Sequence, residues 1–339
     1  MPTRLLQVVT TCDDHPRLLE LLNEANPPCV WYTDLEDEKR LTSVLLRAEL
    51  VEPISDALQD EFGDCDQFRI VLLPVEATHP KLPEPEEEED PDLIEEKSWT
   101  PKFGRVSREE LMEDIEDSAK TTPIFMIMVG IAAIVSSVGL IKDSPAIIIG
   151  AMVIAPLLGP NMALALGTTL GELKMIRRAI RSNLVGLSIA IACSAAFGFF
   201  IQPDNMTDEL TARTIVDLGD ILVALASGAA GAIAFTSGAP ATIVGVMVAV
   251  ALLPPTAATG MLAGAGGWLK AGEAATLVAT NIVCINLSAT SVFFIQGVRP
   301  SSSAWTDEDK AKKASIKALA MWTFALLALA ALIVFAWSD

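Results

Sequence analysis

The sequence predicts a mainly α, multi-pass membrane protein of about seven transmembrane helices, preceded by a small α+β ferredoxin-like domain. Three observations lead there. Of the 339 residues 51% are hydrophobic, yet the net charge is −19. The two kinds of residue are segregated: residues 1–122 hold 31 Asp and Glu against 12 Lys and Arg, whereas residues 123–339 hold 12 of each. The apolar part is a series of long uncharged segments, and the acidic part alternates strand and helix patterns in the order βαββαβ.

Within the acidic part, Arg4–Thr10 alternates and predicts a strand. His15–Ala25 carries Leu18, Leu19, Leu21 and Leu22 at helical spacing, with Asp13 or Asp14 as its N-cap and Pro16 in the first turn. Cys29–Asp34 and Arg40–Leu46 predict two strands around a polar Leu35–Lys39 turn. Val51–Phe62 puts Ile54, Leu58 and Phe62 on one helix face, and Gln67–Val75 predicts the last strand. That order is the split β-α-β, ferredoxin-like unit, assigned to residues 1–77 as a cytoplasmic domain. Residues 78–106 are an acidic linker; its Glu84–Asp92 run has no apolar periodicity and is expected to be a disordered, solvated spacer. Residues 107–120 form an amphipathic connecting helix opened by the capping box Ser107-Arg108-Glu109-Glu110. Its Leu111 and Ile115 share a face that packs on the membrane domain or on a neighbouring protomer.

Seven apolar segments follow: Ile124–Ile141, Pro145–Leu170, Asn183–Ile201, Ile215–Phe235, Pro240–Gly264, Ala274–Ile295 and Ile316–Trp337. Each is near or above the ~18–20 residues that span a bilayer. The gaps between them set the orientation. With the N-terminus inside, the cytoplasmic flanks hold twelve basic residues, among them Lys174, Arg177, Arg178, Arg181, Lys312 and Lys313; the outer gaps hold only Lys142, Arg213 and Lys270. Met1–Gln7 has no signal-peptide core. The chain is therefore expected in the cell (plasma) membrane, N-terminus cytoplasmic and C-terminus outside, with lipid as its surroundings.

Pro145–Gly167 and Pro240–Leu262 are related: at an offset of 95 residues, 10 of 23 positions are identical, including Pro145/Pro240, Gly150/Gly245, Met152/Met247 and Pro160/Pro255. The next segments echo each other too, Asn183-Leu184-Val185 answering Asn281-Ile282-Val283. A repeat of three helices is odd in number, so its second copy is inverted, an architecture of many secondary transporters. The spans are transmembrane repeat one at residues 121–211 and repeat two at residues 212–297, with a cytoplasmic loop and last helix at residues 298–339. The middle helix of each repeat is expected to break, at Gly159-Pro160 and at Pro254-Pro255, with Pro156 as a further interruption. Backbone freed at that depth must lie in protein or beside a cavity. Asn161 and Thr256 occupy equivalent positions just after the breaks. They line a site between two converging helix N-termini, or they cap their own half-helices. The candidate substrate-binding residues are thus Gly159, Pro160, Asn161, Pro254, Pro255 and Thr256. The carbonyl ends at Leu157-Leu158 and Leu252-Leu253 are an alternative place for Na⁺. A re-entrant hairpin is the rival geometry for the broken segments, and the basic-residue count argues against it.

Other classes lack their residues. The acidity repels nucleic acid. It suits a protein bathed in concentrated salt and so a halophilic archaeal source; the competing reading is an ordinary acidic domain with a solvated tail. Five cysteines form no C-x-x-C pair, and Cys12-Asp13-Asp14-His15 is better read as a helix start than as a metal site. No nucleotide loop, no nucleophile beside a base and no buried carboxylate relay is present, so neither an enzyme nor a cofactor is expected. Small residues at Gly167-x-x-x-Gly171, Gly228-Ala-Ala-Gly231 and Gly260-x-x-x-Gly264 allow close helix approach, and Ser136, Ser137, Ser227, Ser237 and Asn286 add interhelical hydrogen bonds or cavity polarity.

Ser144–Pro160, Thr236–Pro255 and Thr280–Ala289 resemble the domain of unknown function 389 family, hydrophobic prokaryotic membrane proteins, many with a similar small N-terminal domain. The resemblance implies the architecture and carries no active-site residues. The residues themselves point to a transporter or channel for a small solute, with an anion favoured by two helix N-termini, and to a cytoplasmic domain that regulates access or assembles a homo-oligomer. A membrane-anchored sensor working through the N-terminal domain, or a structural scaffold, is the alternative.

Overall fold

A computed structural model describes residues 3–24, 27–65, 67–75, 77–78, 106–201, 206–238, 241–298 and 308–336. The acidic run 84–92 lies outside them. The chain divides into two compact units, the first ending at Leu111 and the second taking up at Met112.

The first unit contains β1 (Thr3–Thr11), α1 (His15–Glu24), β2 (Cys29–Asp34), β3 (Lys39–Arg47), α2 (Ala48–Phe62) and β4 (Arg69–Val75). Its sheet has the order β2-β3-β1-β4 with every neighbour antiparallel, the split β-α-β arrangement that the spacing predicts. Strand alternation sorts β1: Arg4, Leu6, Val8 and Thr10 are buried and the residues between them less so. Leu6, Val8, Val44 and Leu46 form the core with Leu18 and Leu22 of α1 and Leu58 and Phe62 of α2. The Asp14 carboxylate is held by the Thr11 hydroxyl at 2.6 Å, and its main-chain carbonyl opens α1 by accepting from Leu18 N at 3.1 Å.

Helix α3 (Arg108–Ser118) starts with half of the expected capping box: Ser107 Oγ accepts from Glu110 N at 3.2 Å. The other half is taken elsewhere, because the Glu110 carboxylate accepts from Arg4 Nε at 2.9 Å and from a second Arg4 nitrogen at 2.8 Å. A bidentate charged pair outcompetes one bond back to the main chain. Leu111 and Ile115, on one face of α3, are both fully buried.

His15 is a core residue rather than a ligand. It is 3% exposed, its Nδ1 lies 3.2 Å from Thr42 Oγ1, and its ring meets Tyr32 edge-on at 4.8 Å. Among the described residues no group of three or more His, Cys, Asp or Glu is placed to hold a metal ion. Burial first, then the Arg40 guanidinium, hold the imidazole below the ordinary value of 6.5, against the opposing pull of Asp34. The unfolded chain therefore binds a proton on His15 at a pH where the folded chain does not. Stability from neutral His15 is whole above 6.5 and is lost as the pH falls below it.

The second unit is helical: α4 (Pro123–Ile141), α5 (Pro145–Ile154), α6 (Leu158–Leu170), α7 (Leu173–Ile201), α8 (Asp208–Ala212), α9 (Leu218–Thr236), α10 (Ala241–Gly264), α11 (Trp268–Ile295) and α12 (Glu308–Ala336). Four of these, α4, α7, α9 and α11, are long and apolar enough to cross a membrane, and α5 with α6, bent by 59°, counts as a fifth if taken as one broken span. Caps explain two starts. Thr122 accepts from Phe125 N with Pro123 at the first helical position, and Asp217 and Asp220 form a full capping box for α9. Large apolar side chains face outward, among them Ile124, Ile127, Leu184, Phe199, Phe200, Leu222 and Phe324, as a lipid-facing body requires.

Glycine sets the closest helix contact. A methyl on Gly260 would lie 2.5 Å from the Ile191 carbonyl oxygen, and methyls on Gly264 and Gly198 would run into the Ala195 and Met261 carbonyls, so α10 and α7 touch backbone to backbone. Gly228 of α9 approaches the Ile285 carbonyl of α11 in the same way. Gly171, by contrast, ends α6 in the left-handed conformation at φ 70°.

Two outcomes are expected. Gly264→Ala should destabilise the protein by about 1–3 kcal/mol through overpacking, whereas Gly150→Ala, with nothing within 4 Å of its new methyl, should be neutral or stabilising, as thermal unfolding in detergent would record. The melting temperature of the first unit should fall between about pH 7 and pH 5, and the slope should flatten in His15→Gln.

Candidate functional site

The site is built by prolines and by the groups that repair them. Helix α5 stops at Ile154 because Ala155 precedes Pro156 and is held extended, at φ −76° and ψ 116°. Helix α6 then begins at Leu158. The break thus falls at Ala155-Pro156-Leu157, not at Gly159-Pro160 as the sequence suggests. Pro160 is the third residue of α6, in the first turn, where a missing N–H costs little. Gly159 is there for space: a methyl on it would strike the Ser118 carbonyl and hydroxyl at the end of α3.

The second expected break is absent. Helix α10 runs through Pro254 and Pro255 without interruption. Pro255 has no N–H to give the Ala251 carbonyl, and Asn281 of α11 supplies one, Nδ2 donating to Ala251 O at 2.7 Å. The Thr256 and Thr259 hydroxyls add bonds to Leu252 O at 2.6 Å and Pro255 O at 2.8 Å. The expectation of two convergent helix N-termini is corrected accordingly: only α6 offers one at the break, and the Ser118 backbone already lies against it.

Of the six predicted residues, Asn161 carries the polar chemistry. It is fully buried. Its Nδ2 donates to Leu157 O at 2.9 Å and to Asn183 Oδ1 of α7 at 3.1 Å, while its Oδ1 accepts from Asn286 Nδ2 of α11 at 3.3 Å. Three helices therefore meet in one chain of amides. Thr256 occupies the equivalent position and donates its hydroxyl to the carbonyl four residues earlier in the same way, but among the described residues it joins no amide. The chain of amides is incomplete at its ends. Asn183 Nδ2 and Asn286 Oδ1 are buried and have no hydrogen-bond partner among the described residues; Asn281 Oδ1, Thr290 Oγ1 and Ser136 Oγ share that condition. Such atoms cost about 1–3 kcal/mol each when left bare.

An uncharacterised protein of Methanocaldococcus jannaschii is 33% identical to this chain over 284 residues, 84% of this chain and 84% of that protein. The family model described as domain of unknown function 389 matches residues 152–287. The chain belongs to the domain of unknown function 389 family. No solved structure matches it. The family segment holds Pro156, Asn161, Asn183, Pro255, Asn281 and Asn286, so the break, the proline repair and the whole amide chain lie within it.

Sequence reasoning under-weighted Asn183, Asn281 and Asn286. The signal was there, since asparagine is rare in uncharged apolar segments, but their partners are distant, Asn286 reaching Asn161 across 125 residues. In this family member the Asn281 repair can be tested by coupling. Asn281→Leu should destabilise by about 1–3 kcal/mol, and adding Pro255→Ala should recover most of the loss by returning an N–H to the Ala251 carbonyl. Purely additive effects in thermal unfolding would show that Asn281 serves some other purpose.

Proposed function

We propose that this chain is a membrane transporter or channel that passes a small solute through its helical unit, along the Asn183–Asn161–Asn286 chain. One observation carries this: buried amides with unsatisfied ends, at a helix break, inside a unit of apolar helices. A tightly packed scaffold would gain by replacing them with apolar side chains. The anion that two helix N-termini would favour loses that support, because α10 has none at this depth and the N-terminus of α6 faces Ser118.

Seven crossings and an inverted repeat belong to the same proposal. The lengths of α10, 24 residues, and α12, 29 residues, suit two further spans beside the five already described. Helices α4, α5–α6 and α7 correspond to α9, α10 and α11. Corresponding residues behave alike: Asn161 and Thr256 bond back to Leu157 and Leu252, and Asn183 and Asn281 each reach the middle helix of their own repeat. The basic flanks favour a cytoplasmic N-terminus in the plasma membrane, with the first unit regulating access or assembling a homo-oligomer.

A sensor acting through the first unit is the second reading. It is favoured by Thr10 Oγ1 and His15 Nε2, both buried and without a partner among the described residues. Flux separates the two. The purified chain in liposomes, given alkali cations, chloride, short carboxylates, amino acids and sugars, should move at least one of them above empty liposomes. Asn161→Ala should slow that flux by about tenfold or more, the scale of one lost hydrogen bond, and Thr256→Val should leave it within about twofold. No flux of any solute, or equal flux in both variants, overturns the transport proposal.

A further inference from the structure

The amide chain has a direction. Asn286 Nδ2 donates to Ile282 O at 2.8 Å as well as to Asn161 Oδ1, and Asn161 Nδ2 donates to Leu157 O as well as to Asn183 Oδ1. Main-chain carbonyls only accept, so Ile282 and Leu157 fix which way the Asn286 and Asn161 amides point. Aligned amides polarise one another. The chain therefore ends in a bare donor at Asn183 Nδ2 and a bare, negatively polarised acceptor at Asn286 Oδ1.

A second bare oxygen belongs to the next turn of the same helix. Thr290 lies one turn further along α11, on the same face as Asn286, and both residues are fully buried. The hydroxyls of Thr256, Thr259, Thr280 and Ser291 each bond the carbonyl four residues earlier. Thr290 Oγ1 has no partner among the described residues. Two neutral oxygens one helical turn apart are thus buried without a partner among the described residues, and neither α6 nor the part of α11 beyond Glu273 contains an Asp or Glu. Divalent ions call for carboxylates. An anion would be repelled by Asn286 Oδ1, which can only accept. Neutral oxygens with aligned dipoles are the ligands of choice for a partly dehydrated monovalent cation.

We infer that Asn286 Oδ1 and Thr290 Oγ1 on α11 form a binding site for an alkali cation. The site goes beyond solute passage: it needs these oxygens and holds whether or not a solute crosses the membrane.

The test is thermal unfolding of the full-length protein in detergent, titrated with LiCl, NaCl, KCl or RbCl against N-methylglucamine chloride at constant ionic strength. One alkali cation should raise the melting temperature saturably where the organic cation does not. Thr290→Val, which keeps the shape and removes the oxygen, should raise the half-saturating concentration by about tenfold or more, while Thr290→Ser should restore it. Equal melting temperatures in every chloride overturn the inference, as does a cation effect that survives Thr290→Val unchanged. Either result leaves the solute flux of the liposome experiment to stand or fall separately.

Discussion

A proline in an apolar helix leaves a carbonyl without its donor, and in surroundings that lack water the protein itself must supply one. The core of the helical unit is arranged around that requirement. At Pro255 the debt falls on Ala251, and a side chain from α11 reaches across to meet it, so α10 stays whole. At Pro156 the chain instead gives way, bending by 59° between α5 and α6, and the Met152 carbonyl that the proline cannot serve accepts from Ala155 N at 3.3 Å. Two related sequences thus solve the same problem differently, one by repair and one by a break.

Asn281 makes that repair, while Asn161 and Asn286 bond carbonyls of their own helices, and together they determine what else the region can do. An amide that serves a carbonyl with its nitrogen still has an oxygen, and in an apolar unit that oxygen needs a use. Asn161 spends its own on Asn286; Asn286 and Asn281 leave theirs open. Helix packing holds the arrangement in place. Gly260 and Gly264 let α10 lie directly on α7, the helix that carries Asn183, and Gly228 does the same for α9 on α11, the helix that carries Asn281 and Asn286. Close backbone contact leaves little freedom for these helices to slide, so the amides stay aligned.

Local patterns were legible and long-range repairs were not. The first unit follows from period-two and period-3.6 spacing with turn residues between, and Cys29–Asp34 falls on its strand residue for residue. Hydropathy found the apolar segments but shortened α7 and α11, because Leu173–Arg181 and Trp268–Glu273 continue the helix with polar residues that leave the apolar run. The prolines misled in both directions. Pro254-Pro255 looked like the strongest breaker, yet its compensation comes from Asn281 on another helix. Gly159-Pro160 looked like a break and is a first turn, where proline is welcome. Glu110 shows the same limit in the first unit: its capping role was read from its neighbours, and it is drawn off by Arg4, 106 residues away.

The claim on which the functional proposal rests is that the amide chain is reached from water. The direct measurement is thiol accessibility in the intact membrane, with the five native cysteines replaced and Asn183→Cys introduced, and Ala132→Cys on α4, fully buried, as the protected reference. Modification of position 183 by a membrane-impermeant maleimide, with position 132 untouched, is the predicted result. Equal protection at both positions would contradict a solute path through the asparagines and leave them as structural repairs alone.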